Sequence, residues 1–243
     1  MEQTLYYNTL RRKIIATTLS FSLVPLFALG LTIYYQFSLA YRDKVMEDIR
    51  TLAVNRRSTI ELFFDERISR LRTLAYISSF DELTSPGVLQ NVFDVIQTRS
   101  ESFVDIGVID QKGNHVAYCG PYTDLKWVNY KETDWFAAVM LKGVYISDVF
   151  MGFRGYPHMI IAVTRREGEH TWILRATIDT DIFESMVRAA QLGQRGDAYI
   201  VNRENVRQTS PRFEGQLLEK AGEPDFSSSV GTSIEEVAIS GQT

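Results

Sequence analysis

One cysteine, three histidines and six prolines give this 243-residue chain few of the residues that usually carry covalent or metal chemistry. A lone Cys119 rules out an intrachain disulfide. An extracytoplasmic domain can fold without one, so the cysteine count leaves the compartment open. Cys119 stands beside Gly120 and Pro121 and reads as a buried small residue, not a nucleophile. His115, His158 and His170 are scattered over strand and turn positions, which excludes a metal site of ordinary spacing. There is no Gly-rich phosphate loop, no GxSxG, no HExxH and no His-centred phosphoacceptor segment, so no catalytic function and no cofactor is expected of these residues. Charge of one sign is lacking as well: 26 basic against 30 acidic residues, net −4, with no basic stripe, argues against nucleic acid as a partner.

Charge is absent altogether from Ile14 to Tyr41. A bilayer core takes about 20 apolar residues in helix, so residues 14–37 form the expected transmembrane helix. The run is longer than a signal-peptide core and lacks a small-x-small cleavage site. Arg11, Arg12 and Lys13 precede it, which places residues 1–13 in the cytoplasm. Tyr34 and Tyr35 sit where an interfacial aromatic belt belongs, and lipid is the expected partner here.

Glycine and proline are missing from Gly30 to Pro86. Val45, Ile49, Leu52, Ile60, Phe63, Phe64, Ile68, Leu71 and Leu74 recur at spacings of three and four, so residues 38–85 read as a long amphipathic stalk helix ended by Ser85–Gly87. Its apolar stripe packs on a domain or on a partner helix, and a homodimer through the stalk is expected. Beyond a short helix near Val88–Thr98 the period changes to two. Ser102–Asp110 and His115–Gly120 read as a hairpin, and Asp134–Leu141 as a helix with Asp134 near its start and Gly143 after it. Three strands follow in "VYISDVFMG", "PHMIIAVTR" and "TWILRATID", then a helix in "TDIFESMVRAAQ" capped by Thr180 or Asp181. A second strand-turn-strand follows in "GDAYIVNRENVRQTSP". The class is α+β, a sheet covered by the long helix.

With these elements in order, the chain resembles the extracytoplasmic double-Cache sensor region of bacterial membrane receptors, from about Leu39 onward. The motifs that carry the likeness are "DIGVIDQKGNHVAY", "DWFAAVMLKGVYISDVF", "HMIIAV", "LRATIDTDIF" and "GDAYIVNRENVRQTSP". The last two are most similar to sensor histidine kinases. The resemblance implies two stacked PAS-like modules, a membrane-distal one over residues 86–190 and the truncated start of a proximal one over 191–243. It also implies a small ligand of unidentified chemistry in the distal module, and an output domain outside these residues. A kinase, a chemoreceptor, a diguanylate cyclase and an anchored binding protein without output all remain open.

In that family the segment matching Trp127–Phe136 lines the pocket. The Arg that clamps an amino-acid carboxylate would stand at Thr133, and the acid that pairs with the amine near Thr177, so both usual anchors are missing. The ligand-binding candidates are then Tyr118, Trp127, Tyr130, Trp135, Phe136, Asp148, Tyr156, Arg175 and Thr177. Tyr118, Tyr130 and Tyr156 offer hydroxyls to orient a polar ligand. Alternation sets Asp148 between Ile146 and Phe150, where a carboxylate serves either a ligand cation or an internal salt bridge to Arg154 or Arg175. Arg175 shares a face with Thr177 and is read as an anion contact or a solvated rim residue. Trp135 and Phe136 are read as packing or pocket wall.

Overall fold

The computed structural model describes residues 2–99, 103–189 and 196–222. It divides into two compact units, Met1–Thr51 and Leu52–Thr243. Helix α1 (Glu2–Ile77) is a single helix with Pro25 inside it.

In the first unit the apolar side chains face outward on every side of the helix; Phe21, Phe27 and Leu31 are 84%, 68% and 68% exposed. Water would make such a surface costly, whereas lipid would not. Hydroxyls that lipid could not satisfy turn inward: Thr18 Oγ1 donates to the Ile14 carbonyl and Thr32 Oγ1 to that of Ala28, each at 2.8 Å. Among the described residues this is the one helix long and apolar enough to cross a membrane.

The second unit is built on a five-stranded sheet of strands β1 (Phe103–Ile109), β2 (His115–Cys119), β3 (Val144–Ile146), β4 (Met159–Glu167) and β5 (His170–Ile178). Their order is β2-β1-β5-β4-β3, and every neighbouring pair is antiparallel. Helices α2 (Phe80–Thr84), α3 (Val88–Arg99), α4 (Asp134–Lys142) and α5 (Thr180–Arg188) complete it. Alternation along β5 divides the core. Trp172, Leu174, Ala176 and Ile178 pack with Phe63, Leu71 and Ala75 of α1, Phe93 of α3 and Phe183 of α5. Ile173 points the other way, into a smaller core with Tyr130 and with Trp135, Phe136 and Val139 of α4.

Four expectations need correction. The stalk helix ends at Ile77 rather than Ser85, because Ser79 starts a new helix: its side chain accepts from Glu82 N while Glu82 accepts from Ser79 N, a capping box. Asp179, one residue before the expected cap, holds the start of α5 by accepting from Asp181 N at 2.8 Å. The strand expected over Val144–Gly152 stops at Ile146, although Ser147 still exchanges bonds with Ile160 through its own N–H and through Oγ. The expected second hairpin forms only the single bridge Val201↔Arg207. Asn202 Oδ1 takes Glu204 N and Val206 N there, an Asx turn that competes with a strand ladder.

Residues 196–222 are docked on the same unit. Gln208 Oε1 accepts from Val149 N at 2.7 Å, and Glu184 Oε1 accepts from Ser210 N and Oγ. Gln208 and Thr209 are buried. Burial raises the Glu184 carboxyl, but the bonds from Ser210 and Arg188 outweigh it and hold the group below its ordinary value. The "EPDFSSSVGTSIEEVAISGQT" tail, residues 223–243, falls outside the described residues.

Candidate functional site

On the face of the sheet away from α1, the loop after β3 and the start of α4 leave a cavity of about 540 Å³. That volume suits a small organic ligand. Tyr130, Trp135, Tyr145, Phe150 and Phe153 supply apolar walls, and Ser147, His158, Arg154 and Arg175 the polar ones. Glu132, Asp134 and Asp148 also line it, and all three are exposed.

Its floor is an ion cluster that the strands themselves assemble. Asp105 on β1 and Arg175 and Thr177 on β5 come together because Asp105↔Thr177 and Gly107↔Arg175 are register partners. Arg175 Nη2 donates to Asp105 Oδ1 at 3.1 Å and Nη1 to the Tyr130 hydroxyl at 3.0 Å. Arg154, reaching in from the loop, bonds the other Asp105 oxygen through Nη2 and donates to Thr177 Oγ1 at 2.5 Å. Tyr118 donates to Asp105 Oδ2 at 3.0 Å and accepts from Tyr122 N at 2.9 Å. Asp105, Arg154 and Arg175 side chains are 0%, 1% and 3% exposed. Burial raises the Asp105 carboxyl, yet the Arg175 and Arg154 guanidiniums outweigh it and hold the group ionised, below its ordinary value. Burial alone would lower Arg175, but Asp105 reverses that and Arg175 stays charged.

Two imidazoles flank the cluster. His115 Nδ1 lies 2.7 Å from the Leu125 carbonyl, and burial followed by the Arg175 charge lowers its pKa to about 3. Burial lowers His158 to about 4. The ring of His115 fits only because residue 107 is glycine: a Cβ there would meet His115 Nε2 at 1.9 Å. Both imidazoles stay neutral in the fold, while an unfolded histidine protonates near pH 6.5. Below that pH the unfolded state binds more protons, so stability falls as pH drops from about 6.5 toward the folded values. Going from pH 7 to pH 5 should cost about 4 kcal/mol for the two together. Thermal melts of wild type and His115→Gln across that range check this, the variant showing roughly half the slope.

Four of the nine candidates, Tyr130, Trp135, Asp148 and Arg175, line the cavity. Thr177 lies beneath the floor as an acceptor for Arg154, and Tyr118 behind Asp105. Phe136 belongs to the packed core. Tyr156 turns to Tyr122, ring centroids 5.4 Å apart, and to His158. Trp127 is 85% exposed, outside the site, beside Lys126. Among the described residues Asp148 has no arginine partner: its Oδ2 accepts from Asn202 Nδ2 at 2.9 Å, and both expected arginines go to Asp105 instead. Arg175 is buried, so the solvated-rim alternative falls. Cys119 is buried against Gln90, and burial pushes its thiol up to about 11, leaving it unreactive. Among the described residues no group of three or more His, Cys, Asp or Glu side chains could hold a metal ion.

Asp105 was missed, and Arg154 was considered only as a partner for Asp148. An acid inside the apolar run "FVDIGVI" was the available sign for the first. Nothing local marks the second.

No protein-family profile matches the sequence, and no curated protein is similar to it. Solved structures are. The ligand-binding domain of a Pseudomonas aeruginosa amino acid chemoreceptor, in complex with GABA, aligns at 12% identity and TM-score 0.57 over 77% of this chain and 86% of that one. The sensory domain of a Campylobacter jejuni chemoreceptor with isoleucine bound aligns at 12% identity and TM-score 0.54, covering 69% and 71%. An extracellular ligand-binding receptor from Desulfohalobium retbaense aligns at 10% identity and TM-score 0.53, covering 64% of this chain and 29% of that one. At these identities the likeness is one of fold: a long N-terminal helix and a five-stranded antiparallel sheet arranged as in Cache or PAS-like sensory domains.

Proposed function

We propose that this chain is the extracytoplasmic small-ligand-sensing region of a membrane signal-transduction receptor. The observation that carries the reading is the cavity of about 540 Å³, walled by aromatics over a buried ion cluster, on the sheet face opposite α1. Residues 14–37 cross the membrane, residues 1–13 lie in the cytoplasm, and residues 86–190 form the ligand-binding module, with 191–243 opening a second one. The chain dimerises through its stalk. Two-component output through a histidine kinase is the favoured form, on the resemblance of "LRATIDTDIF" and "GDAYIVNRENVRQTSP". A chemoreceptor is the second reading, favoured by the fold shared with chemoreceptor sensory domains.

Location is the first test. With Arg11, Arg12 and Lys13 before the span, a compartment-sensitive reporter fused after Tyr41 should be active only on the outer side. Cytoplasmic activity from that fusion would exclude an extracytoplasmic sensor.

A further inference from the structure

We infer that the cavity floor is an anion site, and that the ligand is a small carboxylate carrying no second negative charge. This rests on the sensing role proposed above and names the chemistry of that same site.

The floor holds more positive charge than it neutralises. Arg154 and Arg175 both bond to Asp105, and two guanidinium charges against one carboxylate leave one positive charge in excess. The neighbouring imidazoles contribute none at neutral pH, with His115 at about 3 and His158 at about 4. An uncompensated charge out of water is unfavourable, and buried charges are ordinarily paired.

The hydrogen-bond inventory points the same way. Arg154 Nε and Nη1 and Arg175 Nε are buried and have no hydrogen-bond partner among the described residues. Arg67, Arg165 and Arg207 each leave an Nε in the same state, but here three orphan donors, Arg154 Nη1 among them, fall on two residues that line one cavity. A carboxylate has acceptors in the plane and spacing that a guanidinium presents. Met by a turn of the Arg154 fork toward the cavity, it would satisfy the donors and cancel the charge together.

The remaining walls narrow the class. Trp135, Phe150 and Phe153 offer contact for an apolar body. Glu132, Asp134 and Asp148 stand exposed among the lining residues and repel a second anionic group, though they tolerate a cationic or neutral one. Polyanions such as phosphate or a dicarboxylate are therefore disfavoured.

Arg154 is placed so that it can serve a ligand. It sits between Gly152 and Gly155, both at positive φ (48° and 73°), on a loop whose Met151 and Phe153 are exposed, yet its own side chain is 1% exposed. Glycine permits that backbone, and the loop delivers the charge inward. The site thus differs from the amino-acid clamp sought at Thr133 and Thr177, with its cations coming from the floor strand and the post-β3 loop.

The test uses the full chain in detergent, with melting followed against acetate, propionate, butyrate, isovalerate, butyramide, succinate and phosphate. At least one monocarboxylate should raise the melting temperature, and butyramide, succinate and phosphate should do so less. Arg154→Gln leaves Asp105 paired one to one with Arg175, so its ligand-free melting temperature should hold or rise while carboxylate affinity falls about tenfold or more. Arg154→Lys keeps the charge without the fork and should retain the preference for butyrate over butyramide at reduced affinity. Equal shifts from butyrate and butyramide, or wild-type carboxylate affinity in Arg154→Gln, would overturn the anion site. The sensing role is judged separately by the topology fusion.

Discussion

Asp105→Asn should destabilise the second unit by about 3–5 kcal/mol, the loss expected when one partner of a buried ion pair is removed. The substitution keeps the volume and removes the only acid among the floor's three buried charges, leaving Arg154 and Arg175 facing each other unscreened. For a unit of this size that corresponds to a fall in melting temperature on the order of 10 °C. Tyr118 and Thr177 stay in place but cannot replace a carboxylate, since Thr177 Oγ1 already accepts from both arginines. Adding Arg154→Gln to the same chain removes one of the two stranded cations. Much of the loss should return, a coupling that a double-mutant cycle by thermal melting reads directly. Additive losses would mean that the cluster does not act as a unit.

The second large effect is expected on the opposite face. Trp172 is 1% exposed and joins β5 to the helices: its ring lies 6.2 Å from that of Phe80, and its Nε1 donates at 3.3 Å to Glu167 Oε2, which also accepts from Phe80 N at 3.0 Å. Trp172→Ala opens a cavity between the sheet and the start of α2 and leaves Glu167 with Phe80 N as its donor, at a cost of about 3–5 kcal/mol. Denaturant titration should show a lower midpoint with an unchanged slope. Trp172→Phe should recover about half, because the packing returns without the N–H.

These two sites also mark where sequence reading succeeds and where it stops. The Trp172 face was legible because side chains along a strand point alternately to its two faces. Period two thus separates Trp172, Leu174, Ala176 and Ile178 from Arg175 and Thr177, although Ile173 makes the opposite face partly apolar too. Helix α4 was legible for a similar local reason. Gly143 adopts φ 80° and closes it, a conformation glycine takes without cost. The floor was only half legible. Alternation placed Arg175 beside Thr177, but the carboxylate between them comes from β1, 70 residues away in sequence. Arg154 reaches the same carboxylate across 49 residues, from a loop whose path no periodicity encodes. Asp148 was half legible: it does line the cavity, but alternation was carried past Ile146, where β3 has already ended, and its exposed side chain bonds Asn202 instead of an arginine. Trp127 entered through the family's pocket segment; it ends a 3-10 turn, Thr123–Trp127, whose Leu125 is buried while Trp127 itself is exposed.

The central claim is that a small molecule occupies the cavity above Arg154 and Arg175. Hydrogen exchange by mass spectrometry on the full chain, with and without the compound that raises its melting temperature most, tests it directly. The expected result is added protection confined to peptides covering residues 130–135, 145–158 and 173–177, with that pattern lost in Arg154→Gln. Protection that leaves those peptides unchanged and appears elsewhere in the second unit, or that survives in Arg154→Gln, would contradict it.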